Sequence, residues 1–334
     1  MFFKGKKILV IGGTGTIGTS IVKTLLHESP SAIRVFSRDE HKQHQLQNDL
    51  GERENVRFLI GDIRDYDRLH TAMQEIDYVF HLAAMKHVPA CEYNPYEAVL
   101  TNVHGTNNVI KAALEQNVSK VVFTSTDKAI SPTNTYGATK LTAERLITAA
   151  EYSKGNKKTA FSSVRFGNVM GSRGSVIPLF KHQILENKKI TVTDSTMTRF
   201  MMTLEQATTL TIKALKEAKG GEIFVLKMPI VSLATLTRVV IDETCQQHGL
   251  DSNKISIEEI GLRPGEKMYE ELMTHEESLT AWDLSDMYVI PFFTKGNVRY
   301  EGGRKARPGT YSSSGGQPLS LEELYQLLKT QRLV

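Results

Sequence analysis

The chain has 334 residues, 40% of them hydrophobic and 23% charged, with a formal net charge of +4. That composition excludes a disordered or fibrous chain and leaves room for one large domain or two linked ones. The small charge rests on scattered Lys and Arg, which speaks against nucleic acid as the partner and suits an anionic small molecule.

No run of 18 apolar residues is present, so no membrane span is expected. Residues 1–7 lead straight into a short apolar segment, so no signal peptide is expected either. Cys91 and Cys245 are the only cysteines. Two such distant thiols make no disulfide framework, and a cytoplasmic location is the expectation.

In chain order, residues 7–11 predict a buried strand, followed by a Gly-rich turn and a helix over 17–28. Short apolar strands are predicted at 33–36, 56–60, 78–82 and 121–124, with a helix over 102–116 between the last two. This alternation predicts an α/β fold: a Rossmann-type, doubly wound parallel sheet with helices on both faces. Beyond about residue 164 the pattern loosens. Helices are predicted at 205–219, 233–249 and 321–330, and a strand at 222–226. Residues 294–318, rich in Gly, Lys, Arg and Ser, read as a long loop. No linker divides the chain. Residues 1–168 and 204–230 are expected to form the nucleotide-binding domain. Residues 169–203 and 231–334 are expected to form a smaller α/β substrate-binding lid across the sheet ends.

The turn after the first strand is Gly12-Gly13-Thr14-Gly15-Thr16-Ile17-Gly18. Glycines at 12, 15 and 18 permit a tight turn, close approach of backbone to a pyrophosphate and close helix packing. The helix that opens there offers free N–H groups to the phosphates. The second strand ends in Ser37-Arg38-Asp39. An Arg and a Ser there suit the 2′-phosphate of NADP, whereas an acidic residue would accept the ribose hydroxyls of NAD. Asp39 lies slightly late for that role, so NADP is expected over NAD. Asp62 and Ile63, past the third strand, are placed to meet the adenine, with a helix cap as the alternative for Asp62. Ala83, Ala84 and Lys86 end the fourth strand, where small residues let a nicotinamide ribose approach. For Lys86 a solvated surface role stays open.

The fifth strand leads into Ser125-Thr126-Asp127-Lys128, with Tyr136 and Lys140 beyond. Tyr136 and Lys140 are spaced i, i+4 and share one face of a helix. An ammonium there would lower the tyrosine pKa and make the pair an acid/base for a sugar hydroxyl. Asp127 and Lys128 add a second acid/base couple, which a simple alcohol dehydrogenase does not need. As acid and base they would need a raised and a lowered pKa respectively. Burial pushes both that way and their mutual attraction opposes it. His81 and His87 lack ligand spacing to other His or Cys, so no metal site is expected.

These motifs resemble the extended short-chain dehydrogenase/reductase family, and within it the inverting UDP-N-acetylglucosamine 4,6-dehydratases of bacterial pseudaminic acid and related surface-glycan pathways. The resemblance spans nearly the whole chain. Its pieces include the Gly-rich turn, HLAAMKHVPACEYNP, STDKAISPTNTYGATK, RFGNVMGSRGSVIP, MTRFMM, LRPGEK and the late Thr310-Tyr311-Ser312-Ser313. At Thr310 the chain departs from the family, which carries Glu there.

The resemblance implies 4,6-dehydration of UDP-N-acetylglucosamine with inversion at carbon 5. Tyr136, Lys140 and Thr126 would act at the 4-hydroxyl, Lys128 as base at carbon 5 and Asp127 as acid for the departing 6-hydroxyl. Retaining relatives carry Glu where this chain has Lys128. Lys86, Asn168, Arg173, Ser175, Arg199, Arg263 and Glu266 are the expected contacts of the UDP-sugar, with surface salt bridges as the alternative for each. A homo-oligomer, dimer or hexamer, is expected by analogy. The other readings are a retaining or 5,6-ene-releasing dehydratase and a non-catalytic NADP-sensing scaffold.

Overall fold

The computed structural model describes residues 1–172, 174–292 and 299–334. Five parallel strands follow the predicted alternation: β1 (Lys7–Ile11), β2 (Ala32–Ser37), β3 (Val56–Ile60), β4 (Tyr78–His81) and β5 (Lys120–Thr124). A sixth, β6 (Ala160–Arg165), is not among the predicted strands and pairs parallel with β5. A seventh, β7 (Ile223–Leu226), pairs parallel with β6, and β8 (Met287–Ile290) adds antiparallel to β7. The strands lie in the order β8-β7-β6-β5-β4-β1-β2-β3. After β3 the chain must cross back over β2 and β1 to reach β4. The sheet therefore reverses direction between β1 and β4, and a crevice opens beyond their carboxyl ends.

Strands β1 and β5 form where apolar residues run nearly unbroken, whereas β6 (Ala160–Arg165) carries Ser162, Ser163 and Arg165, which is why no apolar run foretells it. Every residue of β4, β6 and β7 is buried, as a parallel sheet covered on both faces requires. Helix α1 (Thr16–Leu26) buries Gly18, Ile21, Val22 and Leu25, one stripe at helical spacing. Helix α2 (Glu40–Leu50) buries only Gln43 and Leu46 and is otherwise polar, which is why no stripe foretells it. The helix expected over 102–116 starts earlier. A helical path runs from Pro95 to Glu115, with a π-helical turn over Val99–His104 leading into α3 (Gly105–Glu115). Tyr136 and Lys140 lie on α4 (Thr135–Ser153), capped by Asn134, whose side chain accepts from the Gly137 N–H.

The second half of the chain divides its strands between the main sheet and a smaller body, called the lid below; residues 282–283, 287–290 and 304–305, expected in the lid, join the main sheet instead. Besides β8, the short segments Trp282–Asp283 and Arg304–Lys305 extend the main sheet. The lid holds a three-stranded sheet of Asn168–Val169, Thr198–Met202 and Ile230–Ser232. Its other pairs are Lys189–Val192 with Ser256–Glu259, and Glu271–Met273 with Tyr311–Ser312. Helices Val176–Asn187, Leu233–His248 and Leu321–Thr330 share one apolar cluster with Ile190, Val192, Met201 and Val231 of those strands, while Leu272 and Met273 pack with the main sheet. Of the predicted loop, residues 294–298 lie outside the described residues, and the rest carries the two short strands above. Among the described residues no helix is long and apolar enough to cross a membrane.

Arg165, at the end of β6, is completely buried. Its Nε and Nη2 donate to Glu144 of α4 at 2.8 and 2.6 Å. Nη1 and Nη2 donate to Glu277 at 2.7 and 2.8 Å, and Nη1 reaches the Leu272 carbonyl at 3.2 Å. One guanidinium thus ties sheet, helix and lid together through bidentate bonds. Replacing Arg165 by Met strands two carboxylates and should cost about 3–5 kcal/mol of stability, read from urea unfolding. A loss below about 1 kcal/mol would mean that the clamp does not hold the lid.

Candidate active site

The crevice between β1 and β4 is built on three glycines. Gly12 has φ +80°, and a Cβ on it would lie 2.8 Å from the Ala83 N. A Cβ on Gly18 would lie 2.4 Å from the Gly12 carbonyl oxygen, and one on Gly15 would lie 3.1 Å from it. No larger residue fits this turn at 12 or 18, so the start of α1 presents backbone rather than side chain to the crevice. Across the crevice, Asn102 straps the loop after β4: it accepts from the Met85 N–H at 2.8 Å and donates to the Met85 carbonyl and to Thr139 Oγ1, each at 3.0 Å. Asn102 sits in the π-helical turn, a feature that places side chains an ordinary helix would misdirect.

A cavity of about 830 Å³ runs along this crevice. It is lined by the turn residues Gly12, Thr14, Gly15, Thr16, Ile17 and Gly18, and by Ser37, Arg38, Asp62, Ile63, Ala83, Ala84 and Lys86. Thr126, Asp127, Lys128, Tyr136 and Lys140 line its inner end. A second cavity of about 810 Å³ lies under the lid and is bordered by Arg199, Arg263 and Glu266. Lys128, Asn168 and Ser175 border both. Arg173, the remaining expected substrate contact, lies outside the described residues.

Beyond the tips of β2 and β3, Asp62 accepts from the Arg64 N–H at 2.9 Å and pairs with Arg64 at 2.8 Å and Arg38 at 3.3 Å. Ile63 is held by Asn108, which donates to its carbonyl at 3.1 Å. Ser37 Oγ lies 2.8 Å from Thr14 Oγ1. Asp39 caps α2, accepting from the Lys42 N–H at 3.0 Å and pairing with the Lys42 ammonium.

The reacting end is set by β5 and α4. A Cβ on Gly137 would lie 2.1 Å from the Lys128 carbonyl oxygen, so only glycine lets α4 seat on the 126–128 turn. Asp127 is 1% exposed; its Oδ1 accepts from Thr126 Oγ1 at 2.9 Å and from Lys128 Nζ at 3.1 Å. Asp127 Oδ2 is buried with no hydrogen-bond partner. Lys128 Nζ also meets Glu270 Oε1 at 3.2 Å.

Two electrostatic expectations are corrected. Lys140 does not lower Tyr136. Its ammonium is turned to the Thr124 carbonyl and to the Phe123 ring, 3.8 Å from the centroid. Burial, reinforced by Asp127, pushes Tyr136 up to about 12 against the pull of Thr126 and Lys128, so it stands as a neutral phenol. Lys128 is not lowered. Burial pulls it down, but Asp127 and Glu270 outweigh that and hold its ammonium above the ordinary lysine range. Its side chain keeps 25% exposure, at the junction of the cavities it borders.

Arg199 lines the lid cavity, but its guanidinium donates to backbone: to the Thr198 and Lys267 carbonyls at 2.8 Å each and to the Met268 carbonyl at 3.2 Å. It braces the segment leading to Glu270, whose Oε1 lies 3.6 Å from Arg199 Nε. Arg263 is exposed, and its N–H donates to Glu266 at 3.3 Å. The Gly265 carbonyl accepts from Thr133 at 2.8 Å and Asn134 at 3.0 Å, which docks this loop on the start of α4. Sequence reasoning missed Glu270, Asn102 and Gly137. The Gly at 137, beside the Tyr of the Tyr-x-x-x-Lys pair, was the one signal available. Glu270 lies three residues beyond the LRPGEK motif and carries no pattern of its own.

Burial pushes Lys140 down to about 7, with Glu144 pulling the other way, from an ordinary 10.5. Between those pH values the unfolded chain binds the proton and the folded one does not. The contribution of Lys140 to stability therefore rises with pH across that window. In cofactor-free protein, the stability of wild type relative to Lys140→Met should climb from pH 7 to 10, by no more than about 1.4 kcal/mol per unit. A difference that stays flat would contradict the buried, depressed lysine.

A family model described as polysaccharide biosynthesis protein matches residues 8–291. The crystal structure of Pen from Bacillus thuringiensis is 62% identical, covers 100% of both chains and superposes with a TM-score of 0.94. A UDP-N-acetylglucosamine 4,6-dehydratase (inverting) of Campylobacter jejuni is 41% identical over 95% of this chain and 94% of its own. A UDP-glucose 4-epimerase of Rickettsia bellii is 40% identical over 98% of this chain and 96% of its own. With the reversal of strand order, the glycine turn and the Tyr-x-x-x-Lys helix in place, the chain belongs to the polysaccharide biosynthesis protein family of extended short-chain dehydrogenases/reductases.

Proposed function

We propose that the protein is an NADP-dependent UDP-N-acetylglucosamine 4,6-dehydratase that inverts carbon 5 and yields UDP-2-acetamido-2,6-dideoxy-β-L-arabino-hex-4-ulose. The observation that carries this reading is the buried Asp127–Lys128 pair beside Tyr136 at the inner end of the cofactor crevice. A single oxidation at carbon 4 needs one acid/base, and this site carries two. The name of the Campylobacter relative supports the substrate.

The residues present fit a nicotinamide dinucleotide. The glycine cradle leaves no room for a Cβ at 12 or 18 and admits a pyrophosphate against bare backbone. Ser37 and Arg38 would meet a 2′-phosphate. Asp39, the acid that would otherwise read ribose hydroxyls, is engaged as a helix cap with Lys42. A bound nicotinamide supplies oxidation at carbon 4 and the matching reduction at carbon 6. Tyr136 rests as a neutral phenol and would take the proton of the 4-hydroxyl only once its own proton has left, a phenolate form that the positive charge of a bound oxidised nicotinamide would favour against burial. Lys140 sits one helical turn along for the ribose. Lys128, an ammonium at rest, passes its own proton to Asp127 and as the amine takes the carbon-5 proton, which the 4-ketone acidifies. Asp127 protonates the departing 6-hydroxyl, and its unpartnered Oδ2 is the oxygen left to do so. Asn168, Ser175, Arg263 and Glu266, around the lid cavity, receive the UDP portion, while Arg199 braces the backbone beside them.

A second reading is a 4-epimerase, favoured by the relatives named UDP-glucose 4-epimerase. That chemistry has no use for Asp127 and Lys128. Proton NMR of UDP-N-acetylglucosamine incubated with the protein in deuterated water separates the cases. Deuterium at carbon 5 with L-arabino couplings is the expected product. A D-xylo product would remove Lys128 from its role, accumulation of the 5,6-ene would stop the reaction one step short, and a 4-epimer would replace the reading.

Asp127→Asn and Lys128→Ala should each lower dehydration by about 10²–10⁴-fold while cofactor affinity holds. Arg38→Ala should cut the preference for NADP over NAD by about 10–100-fold in a binding titration, the value of a charge-assisted phosphate contact. An unchanged preference would return the cofactor to NAD.

A further inference from the structure

Lys128 Nζ is held by two carboxylates, Asp127 Oδ1 at 3.1 Å and Glu270 Oε1 at 3.2 Å. Asp127 is its neighbour in the chain, whereas Glu270 arrives from the lid. Glu270 is 3% exposed. Its N–H donates to Ser313 Oγ at 2.9 Å, and its carbonyl accepts from the Ser313 N–H at 2.8 Å. Arg199 Nε stands 3.6 Å from the same Oε1. A buried carboxylate costs more in desolvation than it returns in stability unless it is well paired. Here both the backbone and the side chain of the residue are fastened so that one oxygen lies on Lys128.

We propose that Glu270 is a positioning residue for the Asp127–Lys128 pair: it holds Lys128 Nζ at the junction of the two cavities as a second carboxylate and sets the charge with which Lys128 meets the sugar. The inference rests on the dehydratase reading above. With Asp127 alone, Lys128 would lose its only anchor once Asp127 took up the proton it must donate. Glu270 keeps Nζ in place through that change. The protons balance. The Lys128 ammonium gives a proton to the Asp127 carboxylate, leaving an amine and a neutral acid. The amine takes the carbon-5 proton and becomes an ammonium again, held by Glu270. Asp127 gives its proton to the 6-hydroxyl, which departs as water as the carbon–oxygen bond breaks, and the carboxylate is restored. Burial, with Asp127, raises the Glu270 carboxyl above the ordinary carboxylate range, while Lys128 and Arg199 pull it back down; its ionised form is the one that holds Nζ. The charged and titratable groups facing Lys128 are Asp127, Glu270 and Tyr136; those facing Glu270 are Asp127, Lys128 and Arg199.

The test is a carbon-13 NMR titration of the Lys128 side chain, assigned by its loss in Lys128→Ala, in wild type, Glu270→Gln and Glu270→Asp. In Glu270→Gln the ammonium should lose its proton about 1–3 pH units earlier, while Glu270→Asp stays near wild type. The limb of the kcat–pH profile that reports Lys128 should move to lower pH by the same amount. Identical titrations in all three proteins, or equal shifts in Gln and Asp, would overturn the assignment. Should Glu270→Gln not fold, labelled wild type decides: Glu270 and Lys128 must titrate as one unit, and independent curves refute the link. If the titration shifts but wild type does not dehydrate UDP-N-acetylglucosamine, the Glu270–Lys128 contact stands and the dehydratase reading falls.

Discussion

The site depends on a buried guanidinium that never touches the cavities' reacting groups. Arg165 leaves the end of β6 and binds Glu144 on α4 and Glu277 in the lid, and it reaches the carbonyl of Leu272. α4 carries Tyr136 and Lys140. The lid strand Glu271–Met273 begins one residue after Glu270. The same charge therefore fixes the helix that bears one acid/base and the strand that delivers the carboxylate to the other. Such a clamp adds little net stability over a well-packed apolar core. What it supplies is register, because two bidentate carboxylates accept a guanidinium in few orientations.

From this frame the electrostatics of the site follow. Four ionisable groups, Asp127, Lys128, Glu270 and Arg199, meet in a small buried volume with balanced formal charge. Balance allows them to be buried, and proximity allows a proton to move among them without a change in net charge. Tyr136, outside that balance, stays neutral because burial disfavours the phenolate. Lys140 answers to the β5 carbonyl end rather than to the phenol. The Tyr-x-x-x-Lys spacing correctly put both residues on one cavity but misjudged which charge acts on which.

The lid explains where sequence reading ran short. Arg199 was expected to grip a diphosphate and instead braces the backbone of residues 267 and 268 beside Glu270. An arginine's reach exceeds what spacing can resolve, and free backbone carbonyls compete for it. Asn102 sits in a π-helical turn that no 3.6-residue periodicity announces. Gly137 is read only once Lys128 is known to lie against it.

The sequence by itself determined the parallel strands other than β6, the glycine turn and the presence of two acid/base pairs. Each is written in local pattern: unbroken apolar runs, absent Cβ atoms, and residues adjacent or one helical turn apart. Only the tertiary structure decided that Glu270 closes on Lys128, that Lys140 turns away from Tyr136, and that strands of the second half of the chain complete the main sheet. Those facts join residues far apart in the chain, and burial and charge act through space on whatever the fold brings together.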